Sequence, residues 1–283
     1  MATPLSADAF LNALRGEGLS VTEVGDWRAH NRNHKGAWGP VHGIVIHHTA
    51  TSGTDSSVQI CRDGYSELPG PLCHGVIDRD GGVHLIGYGR TNHAGAGDGD
   101  VLQAVIAERA LPPADQANTD GNSRFYGFEC VNNGVGEGWP AGQVEAMVRA
   151  AAAVCRAHGW SERSVIGHKE WQPGKPDPRG IDMGDFRARV AARLGNGPTA
   201  QPSGPPPFPG RDAFGPGKVS DSILALGQQL VRKGFGGAYK VGPSRFWGEA
   251  DRANVAAFQR AQGWSGGDAD GLPGPSTWSR LWS

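Results

Sequence analysis

Apolar positions along this chain fall into a few distinct patterns. Phe10, Leu11 and Leu14 recur at helical spacing behind Ser6, a suitable capping residue, and Gly16 and Gly18 end the segment. Gly43-Ile-Val-Ile-His47 and Phe125-Tyr-Gly-Phe-Glu-Cys-Val131 are short, nearly continuous apolar runs, which predict strands covered on both faces. His74-Gly-Val-Ile-Asp78 and Val83-His-Leu-Ile86 flank Arg79-Asp-Gly-Gly82, the pattern of a hairpin. Over residues 142–158, Val144, Met147, Val148, Ala151, Val154 and Cys155 share one helical face, and Gly159 stops the helix. Val165-Ile166 reads as a short strand running into Gly167-His168. Strands interleaved with helices predict an α/β fold, a central mixed β-sheet flanked by helices.

The pattern then changes. Gly195-Asn-Gly-Pro-Thr-Ala-Gln-Pro-Ser-Gly-Pro-Pro-Pro-Phe-Pro-Gly210 can build neither a ladder nor a helix, because proline removes donors and glycine costs entropy. It reads as a semi-rigid linker. Beyond it, residues 220–233 carry Ile223, Leu226 and Leu230 on one face and residues 249–262 carry Val255 and Phe258. Pro275 opens a short helix with Trp278 and Leu281. These three helices predict a small all-α domain. The expected organisation is a first domain at 1–194, a linker at 195–210 and a second domain at 211–283.

Composition narrows the function. Lys plus Arg total 27 and Asp plus Glu 28, a balance that argues against a nucleic-acid partner. No apolar run has membrane-spanning length, so no stable membrane insertion is expected. The opening Met-Ala-Thr-Pro-Leu-Ser-Ala-Asp-Ala-Phe10 lacks a basic stretch followed by an apolar one, so synthesis in the cytoplasm without a signal peptide is expected. Cys61, Cys73, Cys130 and Cys155 form no CxxC pair, which speaks against a four-thiolate zinc site. Cys61 and Cys73 flank a loop with Gly64, Pro69, Gly70 and Pro71, and either form a disulfide after export or stay as buried thiols.

Candidate chemistry gathers at strand ends. His47 and His48 close an apolar strand, and successive strand residues face opposite sides, so one of the two can enter a given site. Downstream, His168 and Asp177 share a loop rich in Pro and Gly. Two histidines and a carboxylate are a normal ligand set for catalytic zinc, with water in the fourth position. Histidines after strands also serve as satisfied core or surface residues, and spacing alone leaves both readings open. Glu129, between Phe128 and Cys130 in an apolar strand, is either a structural ion pair or a functional carboxylate.

Five blocks stand in order: His47-His-Thr-Ala50, His74-Gly-Val-Ile-Asp-Arg-Asp-Gly81, Asn92-His-Ala-Gly95, Tyr126-Gly-Phe-Glu129, and Gly167-His168 with Lys175-Pro-Asp-Pro178. Together they resemble the zinc-dependent N-acetylmuramoyl-L-alanine amidases, a family that includes phage endolysins and is related to the peptidoglycan recognition proteins. The resemblance spans roughly residues 25–190. It implies His47, with His48 as fallback, His168 and Asp177 as zinc ligands, and Glu129 as general base. It also implies Lys175 as stabiliser of the oxyanion and His93 beside the substrate, although a structural histidine fits that place too. Many relatives hold a tyrosine where Cys73 stands, so a tyrosine-dependent mechanism does not carry over. His74, His84 and His158 are read as structural, Gly95-Ala-Gly-Asp-Gly99 as no nucleotide loop, and Asp268-Ala-Asp-Gly271 as a turn.

Residues 211–283 resemble the small helical peptidoglycan-binding domain of wall hydrolases. Leu226-Gly-Gln-Gln-Leu-Val-Arg-Lys-Gly234, Ala257-Phe-Gln-Arg-Ala-Gln-Gly263 and Asp270-Gly-Leu-Pro-Gly-Pro-Ser-Thr-Trp278 carry that likeness. Trp247, Trp264, Trp278 and Trp282 are either sugar platforms or core, and the size of the unit favours core. The two resemblances imply hydrolysis of the amide between N-acetylmuramic acid and L-alanine in bacterial peptidoglycan, by a phage or prophage endolysin that reaches the wall after release. The alternatives are a non-catalytic peptidoglycan-binding protein, a host autolysin or a stem-peptide endopeptidase. Oligomeric state is not legible.

Overall fold

A six-stranded sheet organises the first part of the chain. The computed structural model describes residues 2–196, 207–239 and 242–282. Their order is α1 (Ala7–Gly16), β1 (Val21–Glu23), β2 (Gly43–His48), α2 (Thr54–Asp63), β3 (Gly75–Ile77), β4 (Val83–Leu85), β5 (Ala96–Gly97), α3 (Gly99–Ile106), β6 (Thr119–Asp120), β7 (Phe125–Cys130), α4 (Ala141–His158), β8 (Val165–Gly167), α5 (His168–Trp171) and α6 (Met183–Asn196). The sheet runs β1-β4-β3-β7-β2-β8, and β5 pairs with β6 in a separate ribbon. β3, β7, β2 and β8 are parallel to their neighbours in that row, whereas β3 and β4 form the expected antiparallel hairpin. The sheet is therefore mixed and covered by helices, as the sequence predicts.

Alternation along β2 and β7 divides the core. Ile44, Ile46, Tyr126, Phe128 and Cys130 join one apolar cluster with α1, α4 and α6. Val45 and Phe125 join another with Ile166, Trp171 and the α3 residues Val101, Leu102 and Val105. Both faces of the central strands are thus apolar, which explains their continuous runs. Ser6 caps α1 by accepting from the Ala9 amide at 3.1 Å. Gly159 closes α4 with a left-handed φ of 71°. Gly97 makes room for a ring: a Cβ there would lie 2.1 Å from Trp171.

The chain divides into two compact units, Met1–Ala200 and Gln201–Ser283. Gly195 and Asn196, expected in the linker, instead extend α6. Of that linker, residues 197–206 lie outside the described residues. The second unit holds the three expected helices, α7 (Asp221–Arg232), α8 (Glu249–Ala261) and α9 (Pro275–Trp282). Its core joins Phe214, Ile223, Leu226, Leu230, Val255, Phe258 and Leu281 with Trp247 and Trp278, and Trp282 packs against it. Trp264 stands apart, with the Arg280 guanidinium 5.2 Å from its ring centroid. Three of the four tryptophans are therefore structural. Among the described residues, no helix is long and apolar enough to cross a membrane.

Candidate active site

Parallel strands bring the candidate residues to one end of one sheet face. His47 and Glu129 are register partners in β2 and β7. Val45 and Ile166 are likewise partners in β2 and β8, and His168 follows β8 directly. Loops beyond the carboxyl ends of parallel strands are a usual place for a ligand crevice. His48, one residue on, has its Nδ1 occupied by the Arg179 amide at 3.0 Å, and its ring packs on Gly134. Alternation thus puts His47, and not His48, into the group.

Asp177 arrives on a loop tied back to α5. The Lys169 amide donates to the Asp177 carbonyl at 2.7 Å, and Lys169 Nζ donates to the carbonyls of Pro178 and Ile181 at 3.2 and 2.6 Å. Glu170 holds the start of the turn, accepting from the Gly167 amide at 2.9 Å while paired with Arg187.

Three donor atoms converge. Asp177 Oδ2 lies 3.0 Å from His47 Nδ1 and 3.1 Å from His168 Nδ1, and the two Nδ1 atoms are 3.1 Å apart. All three residues are buried, and their donor atoms lie within 4.8 Å of one another. A neutral imidazole carries one N–H. His168 Nε2 sits 3.1 Å from Gln172 Oε1, an acceptor, so His168 donates there and its Nδ1 is bare. A carboxylate oxygen and imidazole lone pairs crowded this closely repel unless a proton or a metal cation lies among them. Two nitrogens and one oxygen suit zinc, and three protein ligands leave one position open.

The electrostatics agree. Burial pushes the His47 imidazolium down to about 4, helped by His168, so His47 is neutral and able to coordinate at neutral pH. Burial alone would raise Asp177, but the two imidazoles against it, His168 and His47, hold its carboxyl well below the usual carboxylate range. Glu129 is the opposite case. Burial first, then the neighbouring Cys61 and Asp177, hold its carboxyl well above the ordinary value. The residue is half-buried, yet its Oε2 is sealed from water and has no hydrogen-bond partner. No ion pair holds Glu129 among the described residues, so the structural reading of this carboxylate lacks a partner. Lys175 is exposed at the rim, and its positive charge acts on both Glu129 and His47, lowering each.

The other expectations resolve as follows. His93 is buried, with Nδ1 3.1 Å from His47 Nε2 and Nε2 3.1 Å from the Phe125 carbonyl, so both ring nitrogens have partners within the protein. His74 is held between the Gly89 carbonyl and the Gly127 amide, His84 pairs with Asp78, and His158 lies 3.0 Å from the Tyr126 hydroxyl, all structural roles. Cys61 and Cys73 are buried free thiols packed with Val76, Ile86 and Val131. Gln172 and Lys169, which lie between Gly167-His168 and Lys175-Pro-Asp-Pro178, support the ligands and are not singled out by the sequence reading. The signal was there in the spacing: Gln172 stands one helical turn after His168.

The sequence profile of the N-acetylmuramoyl-L-alanine amidases matches residues 37–180. No curated protein sequence matches the chain. Among solved structures, the N-acetylmuramoyl-L-alanine amidase LysC from Clostridium intestinale is similar at 15% identity and TM-score 0.41, covering 60% of this chain and 97% of its own. A mutant endolysin from Bacillus subtilis is similar at 19% identity and TM-score 0.41, covering 61% of this chain and 99% of its own.

Proposed function

Because the chain belongs to the N-acetylmuramoyl-L-alanine amidase family, whose profile spans residues 37–180, we propose that it is a zinc-dependent enzyme that cuts the amide between N-acetylmuramic acid and L-alanine in peptidoglycan. The observation that carries the zinc reading is the convergence of His47 Nδ1, His168 Nδ1 and Asp177 Oδ2, with the unpaired Glu129 carboxylate in register beside His47. When bound, zinc supplies Lewis-acid polarisation of the scissile carbonyl and of water.

The protein's own groups carry the rest. Glu129, whose carboxyl is held high, takes the proton of the attacking water and returns it to the leaving amine. Lys175 offsets the negative charge that develops on the carbonyl oxygen. The first unit, whose last helix α6 ends at Asn196, is the catalytic domain, and residues 211–283 are the wall-binding domain. A wall hydrolase joined to a wall-binding unit fits a phage or prophage endolysin, acting on the wall after release from the cell interior.

The test uses two variants. His168→Ala loses both zinc, read by elemental analysis, and wall clearing. Glu129→Ala keeps zinc and loses clearing by a factor of about 10² to 10⁴, the usual worth of a general base. A Glu129→Ala protein that clears walls at the wild-type rate rules out the base. Mass spectrometry of digested walls decides the bond: free stem peptides beginning with L-alanine are expected, and cuts inside the stem would make the enzyme an endopeptidase.

A further inference from the structure

His93 is expected beside the substrate, yet its ring is buried behind His47. The Phe125 carbonyl can only accept, so His93 Nε2, 3.1 Å away, carries the proton. A neutral His93 then has a bare Nδ1. That atom lies 3.1 Å from His47 Nε2, which must be the donor. With its proton on Nε2, His47 has a bare Nδ1, the atom that faces Asp177 and His168. The chain of protons therefore runs from one backbone carbonyl to one candidate ligand atom.

A competitor makes this chain consequential. Asp177 Oδ2 stands 3.0 Å from His47 Nδ1 and would draw the His47 proton to that nitrogen. A protonated Nδ1 is closed to a metal. His93 supplies the opposing acceptor on the far side of the ring, and orienting partners of this kind tune metal ligands.

Two further features hold His93 in place. Asn122 Oδ1 accepts from the amides of His93, Ala94 and Gly95 at 2.9, 2.8 and 3.2 Å, which fixes the turn. Gly127, the register partner of Val45 and two residues before Glu129, leaves space for the ring. A Cβ at Gly127 would lie 2.4 Å from His93 Nδ1, the atom that meets His47.

We propose that His93 is a positioning residue: it accepts from His47 Nε2–H, fixes the ring and proton of His47, and so keeps His47 Nδ1 open as a ligand. This rests on the metal reading above. The first test is zinc affinity of the full chain by competition with a chelator. His93→Phe, which keeps a ring but no acceptor, weakens zinc by about 10- to 100-fold, the usual effect of losing an outer-shell partner. His93→Asn, whose Oδ1 can accept in place of Nδ1, stays close to wild type. Wild-type affinity in His93→Phe overturns the proposal, as does an equal loss in both variants.

The second readout is the histidine nitrogen spectrum of the wild-type protein, which needs no variant to fold. His93 is expected as the Nε2–H tautomer, and the zinc-loaded His47 Nε2–H as slow to exchange with water. A His93 protonated on Nδ1 sinks the relay. A wild-type protein that takes up no zinc sinks the metal reading instead, and the His93 tautomer then still judges the relay by itself.

Discussion

Glu129 is the residue at which stability and function oppose each other most directly. Its Oε2 is buried without a partner, and its carboxyl is held well above the ordinary carboxylate value. A folded state that keeps a proton the unfolded chain would release loses stability as pH rises; the penalty is absent below about 4.5. Glu129→Gln, which cannot ionise, is therefore expected to stabilise the zinc-free protein at pH 7.5, where the buried carboxyl carries its penalty. At pH 4.5 the gain should shrink towards zero. Urea midpoints of both proteins at the two pH values check this, and an equal gain at both would show that burial of charge is not the cause. The sequence made this residue visible because a carboxylate in an apolar strand needs a reason. It also separated His47 from His48 in principle, since a strand alternates, but the choice between them needed the resemblance. What it could not show was which way His93 faces: the ring's partners are a strand carbonyl and a strand histidine, brought to it only by tertiary packing.

At the scale of elements, the site depends on strand register and on one pinned loop. Register makes His47 and Glu129 neighbours in space, and the short apolar runs at 43–47 and 125–131 were enough to find both strands. The elements that escaped are β1, α2, β5, α3, β6, α5 and α6. α2 was hidden by polarity, since in Thr54-Asp-Ser-Ser-Val-Gln-Ile-Cys-Arg-Asp63 only Ser57 and Cys61 are buried. α6 has its inward residues Met183, Phe186 and Val190 at helical spacing, a pattern legible in the sequence. The loop that delivers Asp177 has too much Pro and Gly for any periodicity. It is ordered instead by Lys169, whose ammonium joins the carbonyls of Pro178 and Ile181. Lys169→Met keeps the aliphatic stem and removes those bonds. Thermal melts of the zinc-free protein should fall by an amount corresponding to about 1.5–3 kcal/mol, the range for hydrogen bonds to charged groups. Zinc affinity should fall with it, because Asp177 would no longer be held against the two histidines. Unchanged affinity would mean that the ion organises the loop unaided.

For the whole molecule, the question is what the second unit adds. Each unit has its own apolar cluster, so the first retains its core without the second. The near-neutral charge balance gives no general electrostatic attraction to an anionic wall, so retention there would rest on specific contacts of a binding unit. Tethering then acts through local concentration, an advantage that exists only on a surface bearing many sites. A protein ending at residue 196 should therefore cut soluble muropeptide fragments at the full-length rate. On intact insoluble walls its rate at low enzyme concentration should drop by at least about tenfold, against the 10²- to 10⁴-fold that linked binding can reach. Adding the separate second unit back in trans should not restore the loss, because an unlinked module cannot raise the enzyme's concentration at the wall. If the shortened protein is equally slow on soluble fragments, the second unit supports the fold or the site of the first, and the tethering account is wrong.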